Sequence, residues 1–246
     1  MTDIEFGLDT FGGVTHDAEG NPVPHPQVVR DLIEEAVLAD GLGLDFFGLG
    51  EHHRPDFAVS SPEVVLSAIA ARTERIRLGS AVTVLSSDDP VRVFERFSTL
   101  DAVSNGRAEI VAGRGSFIES FPLFGFDLRQ YEELFEERLD LLSQLLKEEP
   151  VTWQGNTRAA LENQRVFPTT ANGLRTWVGV GGSPDSVVRT ARYNFGLFLA
   201  IIGGPAARFA PYIDLFERAP DQFGVERKPV AALLLHLVAE SDEKAR

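Results

Sequence analysis

The stretch Asp45 to Arg54, DFFGLGEHHR, decides how the chain is read, because an apolar run stops there at a packed row of ionisable side chains. Asp45, Phe46, Phe47, Gly48 and Leu49 have the character of a short buried strand: aromatic residues bounded by glycines and turn signals suit a sheet covered on both faces. Glu51, His52, His53 and Arg54 then stand at its carboxyl end. In a parallel sheet with helical crossovers that edge is where ligands bind, since the loops there are released from packing and converge on one opening. A histidine at such an edge titrates near neutral pH.

Working outward, Ile4, Phe6 and Leu8 alternate with Glu5 and Gly7 in a first strand, and Gly12 to Pro24 is a long loop. Pro26 suits the first turn of a helix whose apolar face is Val29, Leu32, Ile33, Ala36 and Val37, ended by Gly41 and Gly43. Strand, helix and strand make a βαβ unit with a right-handed crossover. Downstream the unit recurs. Pro62 opens a helix before a strand from Arg77 to Val84, and Pro90 opens another that Asn105-Gly106 turns into a strand from Arg107 to Ala112. Alternation of this kind predicts a parallel sheet, either doubly wound or closed into a barrel.

Beyond the fourth strand the rhythm loosens. Residues 113–174 read as an insertion, with an amphipathic helix from Tyr131 to Lys147 and two short strands, Val151 to Trp153 and Arg165 to Phe167. Thr176 to Val180, a helix from Pro184, Gly196 to Ile201, a helix from Pro205 to Arg218, and Val230 to Val238 bring the count to seven strands. Ser241 to Arg246 begins a helix that does not develop, so an eighth strand is missing; the expectation is one domain over 1–246, either cut short before strand eight or a seven-strand variant.

The 246 residues, 43% of them hydrophobic, can bury a large core. With no cysteine there is neither a disulfide framework nor a thiolate metal site, which together with the absence of a leader pattern leaves the cytoplasm as the expected address. A formal charge of −14 argues against nucleic acid, and no apolar run reaches the roughly 20 residues of a membrane helix.

Glu51-His52-His53 has the composition of a general base with an orienting carboxylate, or, with a distant acid, of metal ligands; the plainer reading is a surface ion-pair cluster with Arg54 and Asp56. Neighbouring residues on an extended strand point to opposite sides, which argues against one metal shared by both histidines. Arg114, between Gly113 and Gly115, fits a phosphate-binding turn, and Gly181-Gly182-Ser183 opens a helix whose free amides favour an anion. Each has an ordinary turn as its plain alternative. Phe117, Phe121, Phe124 and Phe126 read as core, and Ser86 to Asp89 as a cap for the helix at Pro90.

With EHHR after strand two, IRLGSAVTVL at 76–85 followed by DPVR at 89–92, and SNGR at 104–107, the chain resembles the bacterial-luciferase-like, flavin-dependent monooxygenases. GRGSF at 113–117, FPLFGFD at 121–127 and VGVGGSPDSVVRTAR at 178–192 complete the resemblance. It implies a TIM (β/α)8-type barrel, with reduced FMN at the carboxyl ends of the strands and a non-proline cis peptide near Ser80-Ala81-Val82. It implies flavin contacts at Ser80 and Ala81, and phosphate contacts at Arg114, Gly181, Gly182 and Ser183. By the same resemblance O2 gives a C4a-peroxyflavin that oxidises a small aldehyde or ketone, His52 is the acid/base residue, and Glu51 orients it. A partner reductase supplying the flavin and a homodimer through the second and third helices are expected. The alternatives are F420 in place of FMN, a non-catalytic flavin-binding protein, and a metal-dependent barrel hydrolase.

Overall fold

Pro62, Pro90 and Pro184 each open a helix, as the fixed φ and missing N–H of proline allow at a first helical position. Asp89 caps the second of these by accepting from the Val91 N–H, and Ser183 caps the third by accepting from the Ser186 N–H. These local signals set the rhythm of the computed structural model, which describes residues 4–235 and Ser241. The chain divides into two compact units, Met1–Thr176 and Trp177–Arg246.

The first unit runs β1 (Gly7–Thr10), α1 (His25–Leu42), β2 (Phe46–Leu49), α2 (Pro62–Ala70), β3 (Arg77–Ser80), β4 (Thr83–Val84), α3 (Pro90–Ser104) and β5 (Ala108–Gly113). It continues with α4 (Ser120–Phe124), α5 (Tyr131–Leu145), β6 (Val151–Trp153) and β7 (Leu161–Gln164). Strands β1, β2, β3 and β5 are parallel neighbours in that order, with β4 also paired to β5. Asp9, Gly48, Gly79 and Glu109 stand in one row across the sheet. On their face the Phe46 ring lies against Gly48 and Gly79, where any Cβ would meet it at 3.0 Å or less. Phe47, Leu49 and Leu78 point to the opposite face and are buried, together with Leu66 and Ile69 of α2 and Phe94 and Phe97 of α3.

The second unit takes up β8 (Arg175–Val180) from its third residue and adds α6 (Pro184–Arg192), β9 (Gly196–Ile201), α7 (Ala210–Arg218), α8 (Pro220–Phe223) and β10 (Val230–Leu234). Its three strands are parallel, with β9 between β8 and β10. The strand–helix alternation read from the sequence is present in both units.

Several boundaries differ from expectation. The first strand begins at Gly7 rather than Ile4, because the Phe6 N–H is taken by the Asp45 carboxylate at 2.8 Å. The expected strand from Arg77 to Val84 is two strands, separated by a cis peptide at Ala81–Val82, where the resemblance places one. Leu161–Gln164, not Arg165 to Phe167, pairs antiparallel with β6. The aromatic group splits: Phe121 is buried, while Phe117 and Phe124 are exposed. The last strand is described to Leu234; its expected continuation to Val238 and the expected helix start after Ser241 lie outside the described residues.

Candidate functional site

In the first unit, β2 ends at Leu49, and Gly50 follows with its N–H bonded to the Thr10 carbonyl at 2.9 Å. A Cβ at Gly50 would lie 3.0 Å from both His52 Cε1 and Phe11, and 3.3 Å from the Ala81 carbonyl oxygen. Only glycine leaves room for those three groups to approach one point. The His52 ring stacks on Phe57 with centroids 4.1 Å apart and is met edge-on by Phe11 and Phe117, each at 5.4 Å. Its Nδ1 is sealed from solvent without a hydrogen-bond partner. Burial holds this imidazole below the ordinary histidine value, against the opposing charges of Glu51 and Asp56.

Glu51 is placed differently from expectation. Its Oε1 lies 2.9 Å from His53 Nε2, and its Oε2 accepts from the Val84 N–H at 2.8 Å. The carboxylate therefore fixes His53 and ties the end of β2 to β4, and what holds the His52 ring is aromatic packing. The two histidines point apart, His53 meeting Phe124 at 5.0 Å. Arg54 forms the expected surface pair with Asp56 at 2.9 Å and also reaches Glu119 at 2.9 Å, lying over the Phe117 ring.

Ser80 is fully buried, and its hydroxyl both donates to the Val111 carbonyl (3.2 Å) and accepts from the Val111 N–H (3.1 Å), closing a gap in the β3–β5 ladder. Ala81 turns its carbonyl towards Gly50, and Val82 fills the space that a side chain at Gly113 would need, 2.5 Å from its Cβ position. Thr83 Oγ1 is buried without a partner. Arg114 pairs with Glu132 and lies 5.2 Å from the Tyr131 ring centroid. Among the described residues no group of three or more His, Asp or Glu side chains is placed to hold a metal ion.

Asp9, which the sequence reading passed over, belongs to this unit's set. Its Oδ1 is sealed from solvent without a partner, and burial pushes its carboxyl up to about 7. The available signal was a single acid inside the strand GLDT. The atoms of Asp9, His52 and Thr83 leave donor and acceptor capacity unsatisfied in this unit, while the gaps at Gly48, Gly50 and Gly79 are filled by Asp9, Phe46, His52 and Phe11.

In the second unit a groove of about 190 Å³ is lined by Gly181, Gly182, Arg208, Phe209 and Tyr212, among others. Gly182 has φ 122°, a left-handed conformation open to glycine, and the Tyr212 hydroxyl donates to its carbonyl at 2.7 Å. Ser183 is occupied as the cap of α6. An arginine and glycine amides at a helix start have the chemistry to hold an anion. Arg208 and Tyr212 carried no motif.

The family model described as luciferase-like monooxygenase matches residues 7–246. Limonene 1,2-monooxygenase of Rhodococcus erythropolis is 29% identical over the whole chain and 64% of its own length. An uncharacterised Sinorhizobium fredii protein, y4vJ, is 28% identical over 89% of the chain and 62% of its own length. The chain thus spans less than two thirds of these curated relatives. Among solved structures, monooxygenase RslO1 of Streptomyces bottropensis aligns with a TM-score of 0.85 at 23% identity, covering 99% of the chain and 74% of that protein. The oxygenating constituent of 3,6-diketocamphane monooxygenase of Pseudomonas putida, in complex with FMN, aligns at 0.79 and 19%, covering 98% and 69%. An F420-dependent secondary alcohol dehydrogenase aligns at 0.81 and 18%, covering 98% and 72%. At these identities the likeness shows the fold, the α/β architecture of luciferase-like proteins.

Proposed function

The chain belongs to the luciferase-like monooxygenase family, and from that premise we propose that it is an FMN-dependent monooxygenase acting on a small organic substrate of aldehyde or ketone type. The observation that carries this reading is His52, a half-buried imidazole whose Nδ1 is sealed from solvent and unpartnered, walled by Phe11, Phe57 and Phe117 and facing the Ala81 carbonyl across Gly50. A reduced flavin, when bound, supplies the electrons that activate O2. The chain's own residues do the rest. His52 holds and returns a proton near the reacting atoms, and its aromatic walls limit the access of water to it. The Ala81 carbonyl would offer an acceptor to a bound flavin, and buried Ser80 keeps that stretch in register with β5. Glu51, bound to His53 and the Val84 amide, acts as a brace for the segment that carries His52.

Phosphate contacts are proposed for each unit on its own chemistry: Arg114, oriented by Glu132, in the first, and Gly181, Gly182 and Ser183 beside Arg208 in the second. Reduced flavin is proposed to come from a separate reductase. F420 remains a second reading, supported by the fold shared with an F420-dependent enzyme.

Anaerobic titration of the purified protein with FMN and with F420, each oxidised and reduced, tests the cofactor. Saturable binding of reduced FMN, followed by O2-dependent oxidation of aldehydes or ketones, is the expected result. Binding of F420 alone replaces the cofactor, binding of FMN without oxidation leaves a flavin-binding protein, and binding of neither overturns the proposal.

A further inference from the structure

Two titratable side chains occupy successive glycine gaps, at Gly48 of β2 and at Gly50 just beyond its end. A Cβ on Gly48 would lie 1.8 Å from Asp9 Oδ1, and a Cβ on Gly50 would lie 3.0 Å from His52 Cε1. Residues two apart on a strand share a face and stand roughly 6 to 7 Å apart. Asp9 is therefore one layer beneath His52, in the row Asp9–Gly48–Gly79–Glu109, with Phe11 and the Ala81 carbonyl in the layer above. Both groups are unsatisfied: Asp9 Oδ1 and His52 Nδ1 are sealed from solvent and have no hydrogen-bond partner. A buried polar atom without a partner is costly, so two of them in adjoining layers of one face are not incidental packing.

We propose that Asp9 is a positioning residue for the reaction, a carboxyl beneath His52 whose charge state is felt by the imidazole, so that the two hold and release protons as a pair. The inference rests on His52 as the acid/base residue of the proposed function. Around Asp9, β2 contributes Phe46 and Gly48, neither charged. On β3 the basic group in that region is Arg77, already held by Glu5 and by Glu109 of β5. Around His52 the aromatic walls carry no charge, and the charged neighbours are Glu51, Asp56, His53 and Arg54. Asp9 keeps its proton to about pH 7 because burial disfavours the anion. At the layer spacing, and with an effective dielectric of about 20, an ionised Asp9 shifts the histidine by on the order of one to two pH units. The two groups then titrate in macroscopic steps that belong to the pair.

NMR of the cofactor-free full chain, with labelled histidine rings and aspartate carboxyls, tests this across the acid to alkaline range. In the wild type the His52 curve is expected to have two inflections, with the Asp9 carboxyl showing the same two. In Asp9→Asn the His52 curve collapses to one inflection at the lower pH, and Asp9→Glu restores the second. Independent single inflections for His52 and Asp9 in the wild type overturn the proposal without recourse to any variant, as does a His52 curve in folded Asp9→Asn that superimposes on the wild type. Because no flavin is present, failure of the coupling is read separately from failure of flavin binding.

Discussion

His52 carries the proposed chemistry because of what surrounds it rather than what bonds it. Three aromatic contacts and ionic neighbours would suit a structural histidine equally well, but a structural histidine would have both ring nitrogens satisfied or solvated, and Nδ1 here is neither. His52→Ala is expected to leave reduced-flavin affinity within a few fold of wild type and to lower turnover by about 10²- to 10⁴-fold, the range of general acid–base catalysis. Steady-state oxidation rates set beside anaerobic binding constants check this; equal turnover removes His52 from the mechanism. The residue type and its place after β2 were legible from EHHR. The partner of Glu51 was not, because adjacency in sequence favoured His52 while the backbone beyond Gly50 turns His53 towards it instead.

At the scale of elements, the inner face of the first unit's sheet is organised by one buried carboxylate. Glu109 of β5 is held by Arg77 of β3 and by Arg175 at 3.4 Å, and Arg77 also reaches Glu5 ahead of β1. Buried charge is tolerated only where it is paired, and removing the shared acid takes one of the carboxylates that Arg77 and Arg175 share, leaving Glu5 beside both. Glu109→Ala is expected to destabilise the protein by about 3 to 5 kcal/mol, towards the lower figure because Glu5 remains on Arg77, whereas Glu109→Gln keeps its acceptor oxygen and loses less. Urea unfolding at neutral pH measures both; equal losses in the two variants would show that packing volume, and not charge, is what Glu109 supplies. The helices were readable from proline and capping residues, since those rules act within one turn. Strand ends were less so: the break between β3 and β4 depends on Val82 packing against Gly113, thirty-one positions away.

At the scale of the whole molecule, the outer faces of α2 and α3 carry exposed apolar side chains, with Val64 69% and Val103 50% accessible. These are the helices through which a homodimer is expected, and a second copy of the chain remains the proposed occupant. Light scattering should give twice the chain mass, and Val64→Glu should give the monomer mass with an unchanged circular dichroism spectrum; a monomeric wild type ends the proposal. Among the described residues no helix is long and apolar enough to cross a membrane.

What the sequence determined by itself is the alternation of strands and helices, the prolines and caps that start the helices, and the presence of a histidine at a strand's carboxyl end. These follow from dihedral limits and side-chain periodicity, which operate over a few residues. Only the tertiary structure decided that Asp9 lies over Gly48, that Glu51 braces His53 and the Val84 amide, that Phe117 walls His52 while Phe121 joins the core, and that Arg208 and Tyr212 meet the Gly181–Gly182 turn. Each of these depends on which distant segments the parallel register brings level, and on where a missing side chain leaves room. A short-range pattern holds no record of either.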